Sequence, residues 1–311
     1  MKLDLKLFHK IAWLNLVLIY VMVLLGAYVK NSGSSLACPD CPLCHGQFLP
    51  EMVGGVAIEH SHRLLGSILG LLTLSLFFIA FKNRSEFPKV WAWSITALLL
   101  VLVQATLGGI TVLEKISPYV SATHWMTSQL YLANILWLLL LSNSSAKGVV
   151  YFRQVPDKVL LYLNIALLFV IIQFLLGALT RHTGAAMACG LGWENSLFCL
   201  DDVSGQGVFW PSSLAAKLHM KHRLWGVLSF FVVIASTVPF LKWARKHNAR
   251  NIRINVVLIH LVLTCQMLLG AKLIGTHLAN SSVLLHVLFA MLLWTSLIVL
   301  KFRALEMRPR A

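Results

Sequence analysis

Eight apolar runs, each about 18 residues or longer, set the limits on what this chain can become. One such run crosses the roughly 30 Å hydrocarbon core of a bilayer as a helix. The runs lie at about 11–29, 60–81, 90–112, 124–141, 158–180, 215–241, 254–273 and 283–300. Charged residues are only 12% of the 311 residues and hydrophobic ones 58%, about half the charge of a soluble domain. The first run is too long for a signal-peptide core and lacks a clear small-residue cleavage site, so it reads as a retained helix. The predicted fold class is an all-α membrane protein with eight transmembrane helices.

A net charge of +15 would ordinarily raise the question of nucleic acid. Here Lys and Arg cluster in short segments between apolar runs, as topology determinants do, not in an aromatic-interleaved basic patch. Lys2, Lys6 and Lys10 precede the first run. Lys82, Arg84 and Lys89 follow the second, Lys147, Arg153 and Lys158 the fourth, and Lys242, Arg245, Lys246, Arg250 and Arg253 the sixth. Lys301, Arg303, Arg308 and Arg310 follow the eighth. The positive-inside rule therefore predicts a multi-pass plasma-membrane protein with both termini cytoplasmic and the long loops 30–59 and 181–214 facing outward.

The chain repeats itself. "LLGAYVKNSGSSLAC" at 24–38 matches "LLGALTRHTGAAMAC" at 175–189, and "EHSHRLLG" at 59–66 matches "HMKHRLWG" at 219–226. Gln104–Gly108 matches Gln266–Gly270, and His124 matches His286. Two tandem, similar four-helix bundles follow, 1–150 and 151–311. Because each half has an even number of spans, the duplication is parallel.

Four histidines occupy matched positions near the starts of even-numbered spans: His62, His124, His222 and His286. Ionisable groups inside membranes are costly and usually functional. Two imidazoles facing inward from separate helices supply both axial ligands of a haem, so the pairs His62/His124 and His222/His286 predict two haem sites. Zinc would want three or four converging ligands where each half offers a pair; an interfacial hydrogen-bonding role is the plainer alternative. Arg63 and Arg223 each follow a matched histidine, where a guanidinium serves either a haem propionate or the outer headgroups. His60, His219 and His277 lie near the same surface, His9 and His247 read as solvated, and His260 as a helix-packing residue.

The duplication breaks at Glu59, which aligns with His219. Glu59 shares a helical face with His62, three residues on. A carboxylate there stabilises developing positive charge or moves protons, or is simply a glutamate at a helix start. On the first reading one half is reactive and the other a plain electron carrier.

The outward loops hold Cys38, Cys41 and Cys44, then Cys189 and Cys199; Cys265 lies within the seventh run. An outward location permits disulfides, and one pair per loop is the economical assignment, although sequence alone leaves the pairing in the first loop open. "CPLCH" also fits covalent haem attachment, "CPDC" a redox pair, and the cysteines with His45 a zinc site.

Together "EHSHRLLG", "ACPDCPLCHG", "ATHWMTSQLYLA" and "LLHVLFA", spread over nearly the whole chain, resemble the heme A synthase family. The resemblance implies an enzyme that oxidises the C8 methyl of haem O to the formyl group of haem A for terminal oxidases. It implies a substrate-haem site at His62 and His124 with Glu59 as catalytic carboxylate, a haem B on His222 and His286 that relays electrons, and disulfides Cys38–Cys44 and Cys189–Cys199. Many members carry tryptophan where this chain has Cys41. The implied partners are haem O, membrane lipid, an electron donor or acceptor, and the haem O synthase that makes the substrate. A Gly66-x-x-x-Gly70 step suits a homo-oligomer as well as packing within the bundle. The alternative from another class is a non-catalytic di-haem b-type cytochrome in quinone-linked electron transfer.

Overall fold

The structure is a computed structural model that describes residues 5–147, 155–195, 197–201 and 203–306. Eight long helices dominate it: α1 (Leu5–Asn31), α2 (Gly54–Lys82), α3 (Pro88–Leu113), α4 (Pro118–Lys147), α5 (Asp157–His182), α6 (Leu214–Lys246), α7 (Arg250–Gly275) and α8 (Asn280–Glu306). All eight are long and apolar enough to cross a membrane. Each continues past the apolar run that announces it. Helical hydrogen bonding does not stop where lipid does, and terminal Lys and Arg stems extend along the apolar surface while their charges reach water. Proline sits at the first turn of α3, where its missing N–H costs nothing. Ser213 caps α6 by accepting the Ala216 N–H.

The chain divides into two compact units, Met1–Val149 and Val150–Ala311. In the first, α1 packs on α2, α2 on α3, α3 on α4 and α4 back on α1. In the second, α5 to α8 follow the same cycle. Both are four-helix bundles in which helices consecutive in the chain are neighbours; the second and third connections of each are short, as such bundles favour, while the first is a long cysteine-bearing loop.

In lipid, polar pairs join helices that have no hydrophobic effect to hold them together. In the first unit Asn15 donates to Thr73, Tyr131 donates back to Asn15, and Thr73 Oγ1 lies 2.5 Å from Tyr131 Oη. One buried triad thus joins α1, α2 and α4. In the second unit Thr237 and His260 are 2.8 Å apart across α6 and α7, the packing role expected of His260. His9 differs from expectation: its Nδ1 is 3.1 Å from Ser142 Oγ, between α1 and α4. Gly66 faces Met22 of α1, whereas a side chain at Gly70 would meet open space, so the two glycines do not share one packing surface.

The α3–α4 and α7–α8 connections are tight and alike. Lys115 and Ile116 have positive φ, as do the matched His277 and Leu278. Ile116 N–H reaches back to Thr111 O and Leu278 N–H to Leu273 O, the bond that closes a helix C-terminus. None of the four is glycine, so this conformation carries a steric cost at each. The same costly turn in both halves fixes how the second helix of each hairpin returns along the first.

Candidate haem sites

The histidines stand at fixed depth. His62 is eight residues past Gly54, the first of α2, and His222 eight past Leu214, the first of α6. His124 is six past Pro118 in α4, and His286 six past Asn280 in α8. At the helical rise this is about 12 Å and 9 Å along the helix.

Each ring meets a glycine on the preceding helix. A Cβ on Gly26 would lie 2.9 Å from His62 Nε2, and one on Gly177 2.9 Å from His222 Cε1. A Cβ on Gly108 would lie 3.4 Å from His124 Cε1, and one on Gly270 3.5 Å from His286 Cε1. All four glycines fall five residues before the last residue of their helices, Asn31, Leu113, His182 and Gly275. The unit of repetition is therefore a helical hairpin: a glycine near the end of the outgoing helix, a histidine near the start of the returning one.

His62 and His124 stand on α2 and α4 of the first unit, and His222 and His286 on α6 and α8 of the second. The four rings are half-buried. The Nδ1 atoms of His124, His222 and His286 are nevertheless sealed from solvent with no hydrogen-bond partner among the described residues. Gln266 Nε2 is 3.3 Å from His286 Nε2. Buried polar atoms without partners are uncommon in finished structures. Imidazoles with such atoms stand on α4, α6 and α8; with His62 on α2 they give each bundle two rings on separate helices, each against bare glycine backbone, which fits the donor set of a bis-histidine haem.

Glu59 is buried in α2. Its Oε2 accepts the Cys38 N–H at 2.9 Å and its Oε1 accepts Arg63 Nη2 at 2.6 Å. Arg63 also donates to the carbonyls of Cys38, Asp40 and Leu43 at 2.8, 2.5 and 2.6 Å. Headgroups and a propionate were the two expected destinations of this guanidinium; instead it fastens the first cysteine loop to α2. Arg223 is placed differently. It donates to His219 Nε2 at 3.2 Å and to Asn195 O at 2.7 Å, and its Nη2 is buried with no partner. The matched position that holds a carboxylate in the first half holds a neutral-capable imidazole in the second, so one arginine is charge-compensated and the other keeps a donor for an anion.

Cys38 is bonded to Cys44 and Cys189 to Cys199, while Cys41 is a free, exposed thiol. The first loop turns on Asp40, which accepts the N–H groups of His45 and Gly46 at 2.6 and 2.8 Å. These bonds, that from Gly46 foremost, hold its carboxyl below the ordinary 3.8. Stabilisation of the turn is thus complete above 3.8 and lost as pH falls through the lower folded value. Hydrogen-exchange protection of the Gly46 and His45 amides is expected to persist at pH 5 and to collapse in stronger acid; protection unchanged by acid would contradict this. The second loop holds two short 3-10 turns and a hairpin of β1 (Cys199–Leu200) and β2 (Gly207–Val208).

Sequence reasoning missed the glycines, the contact of His60 with the first disulfide, and Arg181, which lies within electrostatic reach of His286. A signal existed for two of these. Gly-Ala or Gly-Gly closes every odd-numbered run, and the repeat pairs Arg181 with Lys30.

Eight membrane-length helices in two similar four-helix bundles, each carrying a pair of matched histidines, define the class: a multi-pass α-helical membrane protein. The chain belongs to the family described as cytochrome oxidase assembly protein, whose profile matches residues 51–298. Among its relatives, Heme A synthase of Bacillus pumilus is 26% identical over 95% of this chain and 97% of that protein. Heme A synthase of Exiguobacterium sibiricum is 30% identical over 86% of this chain and 84% of its own. Heme A synthase of Staphylococcus carnosus is 28% identical over 90% and 89%.

Proposed function

We propose that this chain is a heme A synthase, oxidising the C8 methyl of haem O to a formyl group. In this reading the N-terminal bundle, 1–150, takes haem O as substrate between His62 and His124. The C-terminal bundle, 151–311, keeps haem B between His222 and His286, where it supplies electron transfer. The termini are cytoplasmic and the cysteine loops outward. The observation that carries the reading is that both bundles place their two histidines at the same pair of depths, each ring against a glycine of the preceding helix. The name that the relatives carry, heme A synthase, supports this reading.

The residues of the chain divide the work. The imidazoles bind and orient the two porphyrins. Glu59, a carboxylate where the second half has His219, stands in α2 beside His62 and answers positive charge or accepts a proton as the methyl is oxidised. Arg63 holds Glu59 and the overlying loop in place, which limits water above the substrate. Arg223, with its free buried donor, and Arg181 receive a haem B propionate.

Extraction of haems from purified protein, with identification by mass, tests this. The parent is expected to contain haem B together with haem O or haem A. Glu59→Gln should keep haem B and accumulate haem O, with haem A formation down about a hundredfold or more. Haem B alone in both proteins would instead mark a di-haem b-type cytochrome.

A further inference from the structure

The first disulfide has a neighbour that the second lacks. Cys38 Sγ, Cys44 Sγ and a ring nitrogen of His60 all lie within 4.8 Å of one another, and all three residues are buried. Both nitrogens of His60 are sealed from solvent without a hydrogen-bond partner. His60 is 3% exposed, so its ring is desolvated beside sulfur with no hydrogen-bond partner among the described residues. His45, the other histidine of this loop, is turned away: its Nε2 is 2.9 Å from Ala37 O. In the second half the repeat puts Met220 where the first has His60. There Cys189 and Cys199 pack with Met220 and Ala216 in a wholly apolar cluster. One disulfide therefore rests on a ligand-capable imidazole and the other on a thioether and a methyl group.

We propose that reduction of Cys38–Cys44 creates a zinc site from Cys38, Cys44 and His60. An external dithiol supplies two electrons and two protons, leaves as its own disulfide, and yields two thiols. Coordination then releases both thiol protons. Two thiolates and an imidazole are a recognised zinc donor set, with water completing the tetrahedron. Zn–S and Zn–N bonds place the donors about 3.5–3.8 Å apart, a separation the three atoms reach once the S–S bond opens. Two thiolates neutralise the dication, and Arg63 and Glu59, bonded to each other and to Cys38, hold the first cysteine in position. Thioether sulfur prefers softer ions than zinc, so the Met220 site should not respond. The loop would then report the local thiol–disulfide balance as bound or released metal, a role separate from haem oxidation.

The test uses full-length protein in detergent carrying Cys41→Ser and Cys265→Ser, so that only the two disulfides respond to reductant. Zn(II) uptake is measured against a chromophoric chelator before and after reduction, and the difference is read; imidazoles elsewhere contribute equally to both states and cancel, whatever haem the protein holds. One added equivalent per chain is expected on reduction, with Co(II) in its place giving the absorption of a tetrahedral thiolate complex. His60→Met should lower the affinity of the added site at least about tenfold. Met220→His should add a second equivalent, a gain that misfolding cannot mimic. Equal uptake by oxidised and reduced protein, full uptake by the His60→Met protein, or no gain from Met220→His would overturn the proposal.

Discussion

Alanine at His222 or His286 is expected to empty the C-terminal bundle of haem B while haem O still enters the N-terminal one. Alanine at His62 or His124 should do the reverse. The rings of each pair sit on different helices of one unit, at depths that the other unit repeats. In the proposed reading, loss of one ring would leave only its partner imidazole to hold the haem. Removing groups that merely orient a metal ligand costs about 10–100-fold in affinity, so the loss of a ligand itself should exceed a hundredfold. Haem extracted from each variant and separated by mass gives the answer directly. Equal depletion of both haems by every variant would show that the two bundles do not bind independently.

A methyl group at Gly177 or Gly26 should be nearly as damaging. In an ordinary helix interior, alanine for glycine favours the helix by about 1 kcal/mol, so the fold gains if anything. The new Cβ would, however, stand 2.9 Å from the ring of His222 or His62, closer than real Cβ contacts come. The ring must turn or retreat, and its nitrogen leaves the position from which it faces its partner. Haem affinity is expected to fall about 10–100-fold, the cost of disturbing a ligand's orienting surroundings. Gly177→Ala should weaken haem B, and Gly26→Ala the substrate haem. Gly70→Ala, whose Cβ would meet nothing within 4 Å, is the matched control and should change neither. Normal haem content in Gly177→Ala would remove the glycine from the site.

What could be read from the sequence was whatever is written in one dimension. Eight spans were legible because membrane crossing demands length and apolarity, and the recurrence of four histidines because duplication repeats them in register. The helices overran the predicted spans because Lys and Arg stems let a helix continue past the lipid. The destination of Arg63 was hidden: adjacency to His62 fixes its helix face, but only the folded loop supplies the three carbonyls that take its guanidinium. His60 shows the same limit. Its partner lies about twenty residues upstream in a loop whose path no periodicity specifies. The glycines are a different case. Their recurrence was visible, but what a missing side chain admits is known only when the opposite helix is in view.

The most direct test of the account is a haem titration of the clean, folded protein followed by its absorption spectrum. Two porphyrins should bind per chain with bis-histidine spectra, and exchanging any one of the four histidines should leave one. Protein whose helical content is intact but which takes up no porphyrin, or only one that is indifferent to all four histidines, would contradict it.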